Sequence, residues 1–267
     1  MISCLAFPNQ ITAASLASGS QEVEDSGNGN PPFTYIESTG KGPSRWGILH
    51  PEWAACGDGK LQSPIGLSRE KAHISPHLGK LKKDYKPAPA IIVSRGHDIN
   101  VKWNGDAGHV VIDGTRFNLL QCHWHTPTEH SFDDTRYELE LHMVHLSEDF
   151  HIAVIGILYE FGRPDPFLKK LYPYIKNVSR EEVHLGVVDP WDIEFGSRKY
   201  FRYNGSLTVP PCTEGVTWTI IKKVRTASVE QVEALRKGVD EGFENNARPI
   251  QLRNGRPVHF YTPINHD

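Results

Sequence analysis

The chain has 267 residues, an apolar content of 38% and a formal net charge of -3. This slight negative charge, with basic residues scattered along the chain, argues against nucleic acid or an anionic membrane surface as the main partner. No segment approaches the roughly 20 consecutive apolar residues that a membrane-spanning helix requires. The length allows one large domain or two small ones, and mainly β domains of this size are commonly single.

The first 32 residues differ in composition from the rest of the chain. Residues 1–17 are mildly apolar, carry no charge and end in the small-x-small step Ser15-Leu16-Ala17. This pattern indicates the remnant of a secretory signal, although the positively charged start typical of such signals is missing. Residues 18–32 are rich in Ser, Gly, Asn and acidic residues, which indicates a disordered linker. We therefore expect one folded domain over residues 33–264 and favour secretion, which this end of the chain does not establish by itself.

The remainder reads as a mainly β chain with few helices. Helix signals stand at Ser228, with Gln231 three residues on as a capping box, and at Ser179, with Glu182 in the same relation. We predict a mainly β (α+β) fold, with a large, mostly antiparallel, twisted central sheet and short peripheral helices. The predicted strands, separated by Gly, Asn, Asp and Pro, are Ala90–Val93, Ile99–Trp103, His109–Ile112, Phe117–His125, Glu138–His145, Ala153–Tyr159 and Val216–Val224.

Two of these strands place histidines at alternate positions. Because alternate side chains of a strand share one face, Gln121, His123 and His125 point the same way, with the two histidines about 7 Å apart. In the strand that begins fourteen residues later, Glu140 and His142 share a face in the same manner. If the two strands pair, His142 completes a cluster of three histidines with two polar side chains beside it.

A three-histidine cluster is typical of a catalytic zinc site, because three imidazoles leave the fourth tetrahedral position open to water. Gln121 and Glu140 are suited to accept hydrogen bonds from imidazole N–H groups and so to orient the rings. A lone histidine, or the His-x-His step alone, more often has a surface or core role. We assign that role to the other histidines, which lack such neighbours: His50, His73, His77, His109, His151, His184, His259 and His266.

Cysteine usage argues against a cysteine zinc site. The chain has four cysteines without a Cys-x-x-Cys pair, too few for a disulfide framework. Cys122 lies within an apolar strand and is predicted to be a buried thiol.

The metal-site residues belong to a longer series of motifs that resembles the α-class carbonic anhydrases in order and spacing. The resemblance covers nearly all of the chain from Phe33 to Tyr261, and the segments GRPDPFL and NNARP favour the plant branch, which includes nectar and tuber-storage proteins. The motifs are Trp46-Gly47, Gln62-Ser-Pro-Ile65, Gly96-His97, Gln121-Cys-His123-Trp-His125, Glu129-His130, Glu140-Leu-His142-Met-Val-His145, Gly205-Ser-Leu-Thr208-Val-Pro-Pro211, Val216-Thr-Trp218 and Asn246-Ala-Arg248-Pro249.

The resemblance implies a reaction, the reversible hydration of carbon dioxide to bicarbonate and a proton by hydroxide formed at Zn²⁺. His123, His125 and His142 would be the zinc ligands. Thr208 would accept a hydrogen bond from the hydroxide and donate its own proton to Glu129. His97 corresponds to the residue that passes the proton to buffer, a role suited to an imidazole with an ordinary pKa near 6.5.

The resemblance also implies a substrate pocket and a disulfide. The apolar wall beside the zinc, which suits a small nonpolar substrate, would comprise Val144, Val154, Leu207, Val209, Val216 and Trp218. A disulfide between Cys56 and Cys212 would hold the loop that carries Thr208 and would fit secretion or another oxidising compartment, extracellular or a plastid reached by the secretory route.

Two departures from the family pattern put the rate of reaction in question more than its type. Val209 stands where many members carry a second threonine, and Ile48 follows Trp46-Gly47 where a tyrosine is usual. Asn177 begins a glycosylation sequon and is a candidate site, with its use left open by the sequence, whereas the sequon at Asn204 lies too close to the presumed site and is expected to stay bare.

Other functions remain open at this stage. A storage or defence protein on the same scaffold would need no zinc chemistry, and loss of a metal ligand would be its clearest sign. A zinc hydrolase acting on esters or peptides is a second alternative, although the chain has no HExxH motif. The sequence leaves the choice between monomer and dimer open.

Overall fold

The computed structural model describes residues 32–263. The prediction of a signal remnant and linker for residues 1–32 therefore lies almost entirely outside the described residues. From Phe33 onward, the described residues form one compact unit. Its α-helices are α1 (Trp46–Leu49), α2 (Ala55–Asp58), α3 (Pro166–Ile175) and α4 (Val229–Lys237). Short 3-10 helices span Glu37–Thr39, Pro43–Arg45, Pro51–Trp53, Pro76–Leu78 and Pro190–Asp192.

Strands make up most of the regular structure in the described part. They are β1 (Gly66–Leu67), β2 (His73–Ile74), β3 (Lys82–Tyr85), β4 (Ala88–Ser94), β5 (Ile99–Trp103), β6 (Gly108–Ile112), β7 (Thr115–His125), β8 (Ser131–Phe132), β9 (Leu139–Leu146), β10 (Ile152–Phe161), β11 (Val183–Val188), β12 (Tyr200–Ser206), β13 (Glu214–Ile221), β14 (Arg225–Ala227) and β15 (His259–Tyr261). All seven strands predicted from the sequence are present, with boundaries that differ by at most three residues.

Among the described residues, thirteen of these strands form one sheet. Its main path runs β11-β4-β5-β7-β9-β10-β13-β12-β15-β2, with β6 beside β7, β3 beside β6 and β14 beside β10. Most pairs are antiparallel; β10 pairs in parallel with β13 and β14, and β15 pairs in parallel with β2. A separate parallel pair joins β1 and β8. The predicted fold class is confirmed.

The alternation of side chains in β7 separates a packed face from a polar face. Cys122 and Trp124 belong to the main apolar core, in which the Trp124 ring stacks on Phe167 of α3 with 6.2 Å between centroids. Apolar residues of α3 and α4 complete this core. Since alternate residues point to opposite faces, His123 and His125 project away from the helices.

The helices only partly follow the sequence predictions. Helix α4 begins where predicted, and Ser228 and Gln231 form the reciprocal capping box. The helix predicted at Ser179 is wrong: Ser94 of β4 donates its backbone N–H to the Ser179 carbonyl, and the chain continues into β11. Helix α3 was missed although Asp165 caps it and Pro166 occupies its first turn. Within residues 32–263, no helix combines the length and the apolar character needed to cross a membrane.

A disulfide joins α2, near the start of the described region, to the loop between β12 and β13. Cys56 of α2 and Cys212 form a bond with an S–S distance of 2.06 Å across 156 residues of sequence, which confirms the predicted pair. The loop that contains Cys212 is closed by hydrogen bonds from the Leu207 N–H to the Thr213 carbonyl and from the Cys212 N–H to the Val209 carbonyl. Cys122 is a free, buried thiol, as predicted.

Candidate metal centre

Strands β7 and β9 pair antiparallel and bring three histidines together. His123 lies directly opposite His142 in the register, and His125 is two residues further along β7. The ring centroids are 5.1 Å apart for His123 and His125, 5.3 Å for His123 and His142, and 4.6 Å for His125 and His142. One nitrogen from each ring lies within 4.8 Å of the other two, so the three rings could hold one metal ion.

Each of these rings is held by an oxygen acceptor on the side away from the shared space. The Nδ1 of His123 is 2.9 Å from the Gln121 Oε1, and the Nδ1 of His125 is 2.8 Å from the Asn246 carbonyl. The Nε2 of His142 is 2.8 Å from the Glu140 Oε1. Because these acceptors cannot donate, the facing ring nitrogens donate, which leaves the Nε2 of His123 and His125 and the Nδ1 of His142 with free lone pairs.

The environment favours neutral imidazoles, the form that binds metals. Burial lowers the pKa of His123 well below its ordinary value, and burial also lowers the pKa of His142 despite the nearby Glu140 carboxylate. The Nε2 of His125 is buried without a hydrogen-bond partner. A buried nitrogen with an unused lone pair, facing two more such nitrogens, fits a tetrahedral zinc ion.

Glu140 is the centre of a buried hydrogen-bond network behind His142. Its Oε2 accepts the backbone N–H groups of Glu129 and His130, and its Oε1 also accepts from the His130 Nδ1 at 2.6 Å. The His130 Nε2 contacts the Tyr203 hydroxyl at 2.7 Å, which in turn contacts the Ser63 hydroxyl at 2.9 Å. Burial would raise the pKa of Glu140, but the facing histidines and their hydrogen bonds hold it well below its usual range.

His130, Glu140 and His142 also lie close enough to form a second group of ligands. The first group is the better candidate for a metal site, because both nitrogens of His130 already have partners in Glu140 and Tyr203. Sequence reasoning found Glu140 but missed Tyr203, Ser63 and the Asn246 carbonyl, since each reaches the site from a distant part of the chain.

Glu129 and Thr208 are both buried, and Glu129 lies beside His125 and His142 of the cluster. The Glu129 Oε1 accepts a hydrogen bond from the Arg248 backbone N–H at 3.0 Å, and its Oε2 lies 4.0 Å from the Nδ1 of His142. That Oε2 is buried without a hydrogen-bond partner. The hydrogen bond predicted from Thr208 to Glu129 is therefore not formed among the described residues.

Apolar side chains continue the face that carries His142. Val154 of β10 pairs in register with Val144 of β9 on one side and with Trp218 of β13 on the other. The Trp218 ring lies 4.8 Å from the ring of His142, and its Nε1 donates to the Ser206 carbonyl. The remaining predicted wall residues are Val216, which is buried two positions from Trp218, and the half-buried Leu207 and Val209, which flank Thr208.

His97 lies in the loop between β4 and β5, with its ring turned inward. The ring centroid is 5.7 Å from that of Phe33, and the Nε2 has no hydrogen-bond partner and lies 3.7 Å from the Asp98 carboxylate. The Asn246 side chain donates to the His97 carbonyl at 2.7 Å. Burial lowers the pKa of His97 to about 4, despite the opposing effect of Asp98.

Ile48, which stands where the family usually has a tyrosine, lies on the surface, and a different tyrosine packs against Trp46. Ile48 is 67% exposed on α1, whereas the Tyr35 hydroxyl is buried and its ring packs 5.3 Å from Trp46. Burial, and next the charge of Glu129, raise the pKa of Tyr35 well above its usual value. A tyrosine therefore does stand near Glu129, contributed by the segment before Trp46, and the Ile48 side chain points elsewhere.

Comparison with known proteins agrees with this geometry. The family model for the eukaryotic-type carbonic anhydrases matches residues 41–262. Alpha carbonic anhydrase 4 of Arabidopsis thaliana is 52% identical over 259 residues, which covers 97% of this chain and 93% of the relative. Carbonic anhydrase Nec1 of Nesocodon mauritianus is 44% identical over 254 residues, covering 92% of this chain and 90% of the relative.

A solved structure shows the same fold. The crystal structure of dioscorin complexed with ascorbate superposes with a TM-score of 0.85 at 42% sequence identity. The match covers 87% of this chain and 99% of the dioscorin chain.

Proposed function

We propose that this chain, which belongs to the eukaryotic-type carbonic anhydrase family, hydrates carbon dioxide reversibly to bicarbonate and a proton. The observation that carries the proposal is the convergence of three histidines, each oriented by an oxygen acceptor so that one free nitrogen faces the same space. No side-chain base in that space could supply hydroxide at neutral pH, so the reaction calls for a metal ion.

The donor set fits zinc. His123 and His125 would hold the ion through Nε2, and His142 through Nδ1. When bound, zinc lowers the pKa of a water molecule so that hydroxide is available near neutral pH. Gln121 and Glu140 keep the rings in place, and Asn100 supports Gln121 by donating to the same Oε1 at 2.8 Å.

Glu129 and Thr208 would aim the nucleophile. We assign Thr208 the role of accepting a hydrogen bond from the nucleophile and donating its own hydroxyl proton in a hydrogen bond to the Glu129 Oε2, which is buried without a partner on a carboxylate held by the Arg248 N–H. The buried, unpaired carboxylate oxygen supports this assignment, because such an atom is costly without a donor.

The apolar wall would receive the substrate. Carbon dioxide carries no charge and needs no hydrogen-bond anchor, so apolar side chains beside the cluster suit it. We assign Val144, Val154, Leu207, Val209, Val216 and Trp218 to this pocket. His97 would relay the proton to buffer, although its inward position and low pKa make it a slow relay.

The alternative is a storage or defence protein that has the same fold but no significant activity. The similarity to a dioscorin is the reason to consider it. The retention of all three histidines, Glu129 and Thr208 favours the enzyme. A chain kept only for storage has no need of buried histidines with matched acceptors, since unpaired buried nitrogens are destabilising.

The test is zinc content and carbon dioxide hydration measured on wild type and on His142→Ala. We expect about one zinc ion per chain in wild type, and in the variant a loss of zinc with activity reduced by at least about 100-fold. His184→Ala, on the exposed face of β11, is the matched control and should behave like wild type. A metal-free, inactive wild type would favour the storage role, and ester hydrolysis faster than hydration would favour a hydrolase.

The disulfide fits an oxidising compartment. We further propose that the protein is secreted or reaches a plastid by the secretory route, that residues 33–264 are its catalytic domain, and that it acts as a monomer or dimer.

Asn177 is exposed just after α3, where a glycan would be accommodated, so we propose it as the glycosylated residue. A mass shift on deglycosylation, absent in Asn177→Gln, would test this assignment.

A further inference from the structure

Three histidines gather at the opposite end of the main sheet from β11. His73 lies on the edge strand β2, His259 on its neighbour β15, and His77 in the 3-10 helix that follows β2. His259 and His73 are paired in the parallel register, so their side chains leave the sheet on the same side. Their ring centroids are 6.0 Å apart, and those of His77 and His259 are 6.3 Å apart.

The central ring of this cluster is oriented by a hydroxyl. Ser75 donates its hydroxyl proton to the His73 carbonyl at 3.1 Å, and its oxygen lies 2.8 Å from the Nδ1 of His259. Because the hydroxyl has a single proton, it accepts from the Nδ1–H of His259. The lone pair of His259 is therefore on Nε2. His123 and His125 at the metal centre also have their lone pairs on Nε2, because an oxygen acceptor occupies Nδ1 in each.

The protonation state is also suitable for binding a metal ion. Burial, and next the neighbouring His73, His77 and Arg202, lower the pKa of His259. A neutral imidazole has an available lone pair at neutral pH. The Arg202 guanidinium is turned toward Thr219, to which its Nε donates at 2.9 Å.

The rings are more widely spaced than at the metal centre, where the centroids are 4.6 to 5.3 Å apart. To share one ion, His73 and His77 would have to turn toward His259, from centroid distances of 6.0 and 6.3 Å. His73 and His77 are exposed, and exposed side chains change rotamer on the picosecond to nanosecond timescale. This adjustment therefore requires no movement of the sheet.

We propose that His73, His77 and His259 form a second, solvent-accessible site for a divalent transition metal ion, distinct from the metal centre between β7 and β9. An all-imidazole donor set selects Cu²⁺, Ni²⁺ or Zn²⁺ over Mg²⁺ or Ca²⁺, and Cu²⁺ binds most tightly among them. Three strands, β10, β13 and β12, lie between β9 and β15 in the sheet, so the two sites share no strand.

The experiment is a titration of untagged, zinc-loaded protein with Cu²⁺, followed by electron paramagnetic resonance and by measurement of retained zinc. We expect a copper signal with nitrogen coupling at about one ion per chain, while zinc content and carbon dioxide hydration stay at their starting values. Both His77→Gln and His259→Gln should weaken copper binding by about tenfold or more. Loss of a residue that only orients a ligand already lowers metal affinity by about 10- to 100-fold, and here a ligand itself is lost.

Two further variants sharpen the result. His184→Gln, an exposed histidine on β11, should bind copper as wild type does. Ser75→Ala removes the group that fixes the His259 tautomer and should weaken binding without removing a ligand. His77 is exposed in a short 3-10 helix, so its replacement leaves the fold intact, and retained hydration activity verifies this.

Three outcomes would overturn the proposal. One is a zinc-loaded wild type that takes up no copper at micromolar concentrations. Another is copper bound only as zinc leaves. The third is copper affinity that stays the same in both His77→Gln and His259→Gln.

Discussion

Single residues decide which nitrogen of each histidine is available to a metal ion. Glu140 does so for His142, while four hydrogen bonds and complete burial hold the carboxylate itself in place. A carboxylate that is held in this way both orients the imidazole and increases its basicity. The neutral Gln121 orients His123 through one carbonyl oxygen on Nδ1, so the two supports differ both in charge and in the ring nitrogen that they hold.

Replacing Glu140 with Gln tests this support. The amide keeps the size of the side chain but loses the negative charge and one acceptor, so we expect zinc affinity to fall by about 10- to 100-fold. Zinc affinity measured by competition with a chelator checks the prediction. Glu148→Gln, an exposed acid beyond the end of β9, is the control and should leave the affinity unchanged. Equal affinities for Glu140→Gln and wild type would contradict the support role.

His97 leads to a prediction about pH and buffer. Because burial lowers its pKa to about 4, the ring is unprotonated across neutral pH and accepts a proton unfavourably from a donor of pKa near 7. We therefore expect small imidazole buffers to raise wild-type carbon dioxide hydration several-fold, and His97→Ala to lower it by less than about tenfold at pH 7. Stopped-flow rates from pH 5 to 9 at several buffer concentrations provide the measurement.

The opposite dependence on buffer would contradict this prediction for His97. If wild type is insensitive to buffer while His97→Ala depends on it strongly, the His97 ring is an efficient relay and its pKa in the loaded enzyme lies near neutrality.

Helix α4 begins where the capping box in the sequence predicts it, so a local sequence signal was enough to locate this element. Ser228 accepts from the Gln231 backbone N–H while the Gln231 side chain accepts from the Ser228 N–H, so both groups are satisfied within four residues. Helix α3 carried a similar signal in Asp165 and Pro166. The Ser179 pattern matched equally well, but the backbone of that segment pairs with β4 through Ser94, and tertiary pairing overrides the local preference.

The cap of α4 can be tested directly. Ser228→Ala should lower the free energy of unfolding by about 1 kcal/mol, because the Gln231 N–H loses its acceptor. Ser228→Thr keeps a hydroxyl at the same position and should stay within about 0.5 kcal/mol of wild type. Denaturant unfolding of the three proteins measures both values, and an unchanged Ser228→Ala would show that the cap is dispensable.

At the scale of the whole molecule, the Cys56–Cys212 bond constrains the chain across 156 residues. It also anchors the loop that carries Thr208. Removing it in the double variant Cys56→Ala/Cys212→Ala should lower the free energy of unfolding by about 2–5 kcal/mol. Carbon dioxide hydration should fall as well, because the loop loses its covalent anchor.

The control for this prediction is chemical reduction. A reducing agent should destabilise wild type by a similar amount and leave the double variant unaffected. A double variant as stable as oxidised wild type would contradict the stabilising role.

Alternation and spacing along the chain are enough to predict which side chains share a face of a strand. Period-two alternation places Gln121, His123 and His125 on one face and Cys122 and Trp124 on the other, whatever the rest of the chain does. The strands and the family resemblance also follow from order along the chain.

Contacts between distant segments of the chain could not be predicted in this way, because they depend on how the strands assemble. The Asn246 carbonyl that orients His125, the Tyr35 hydroxyl near Glu129 and the gathering of His73, His77 and His259 all depend on strand order and register. Such contacts span up to about two hundred residues, and no local periodicity specifies them. The reason is physical: a side chain's face is set by its own backbone, whereas its partner is set by which strand packs beside it.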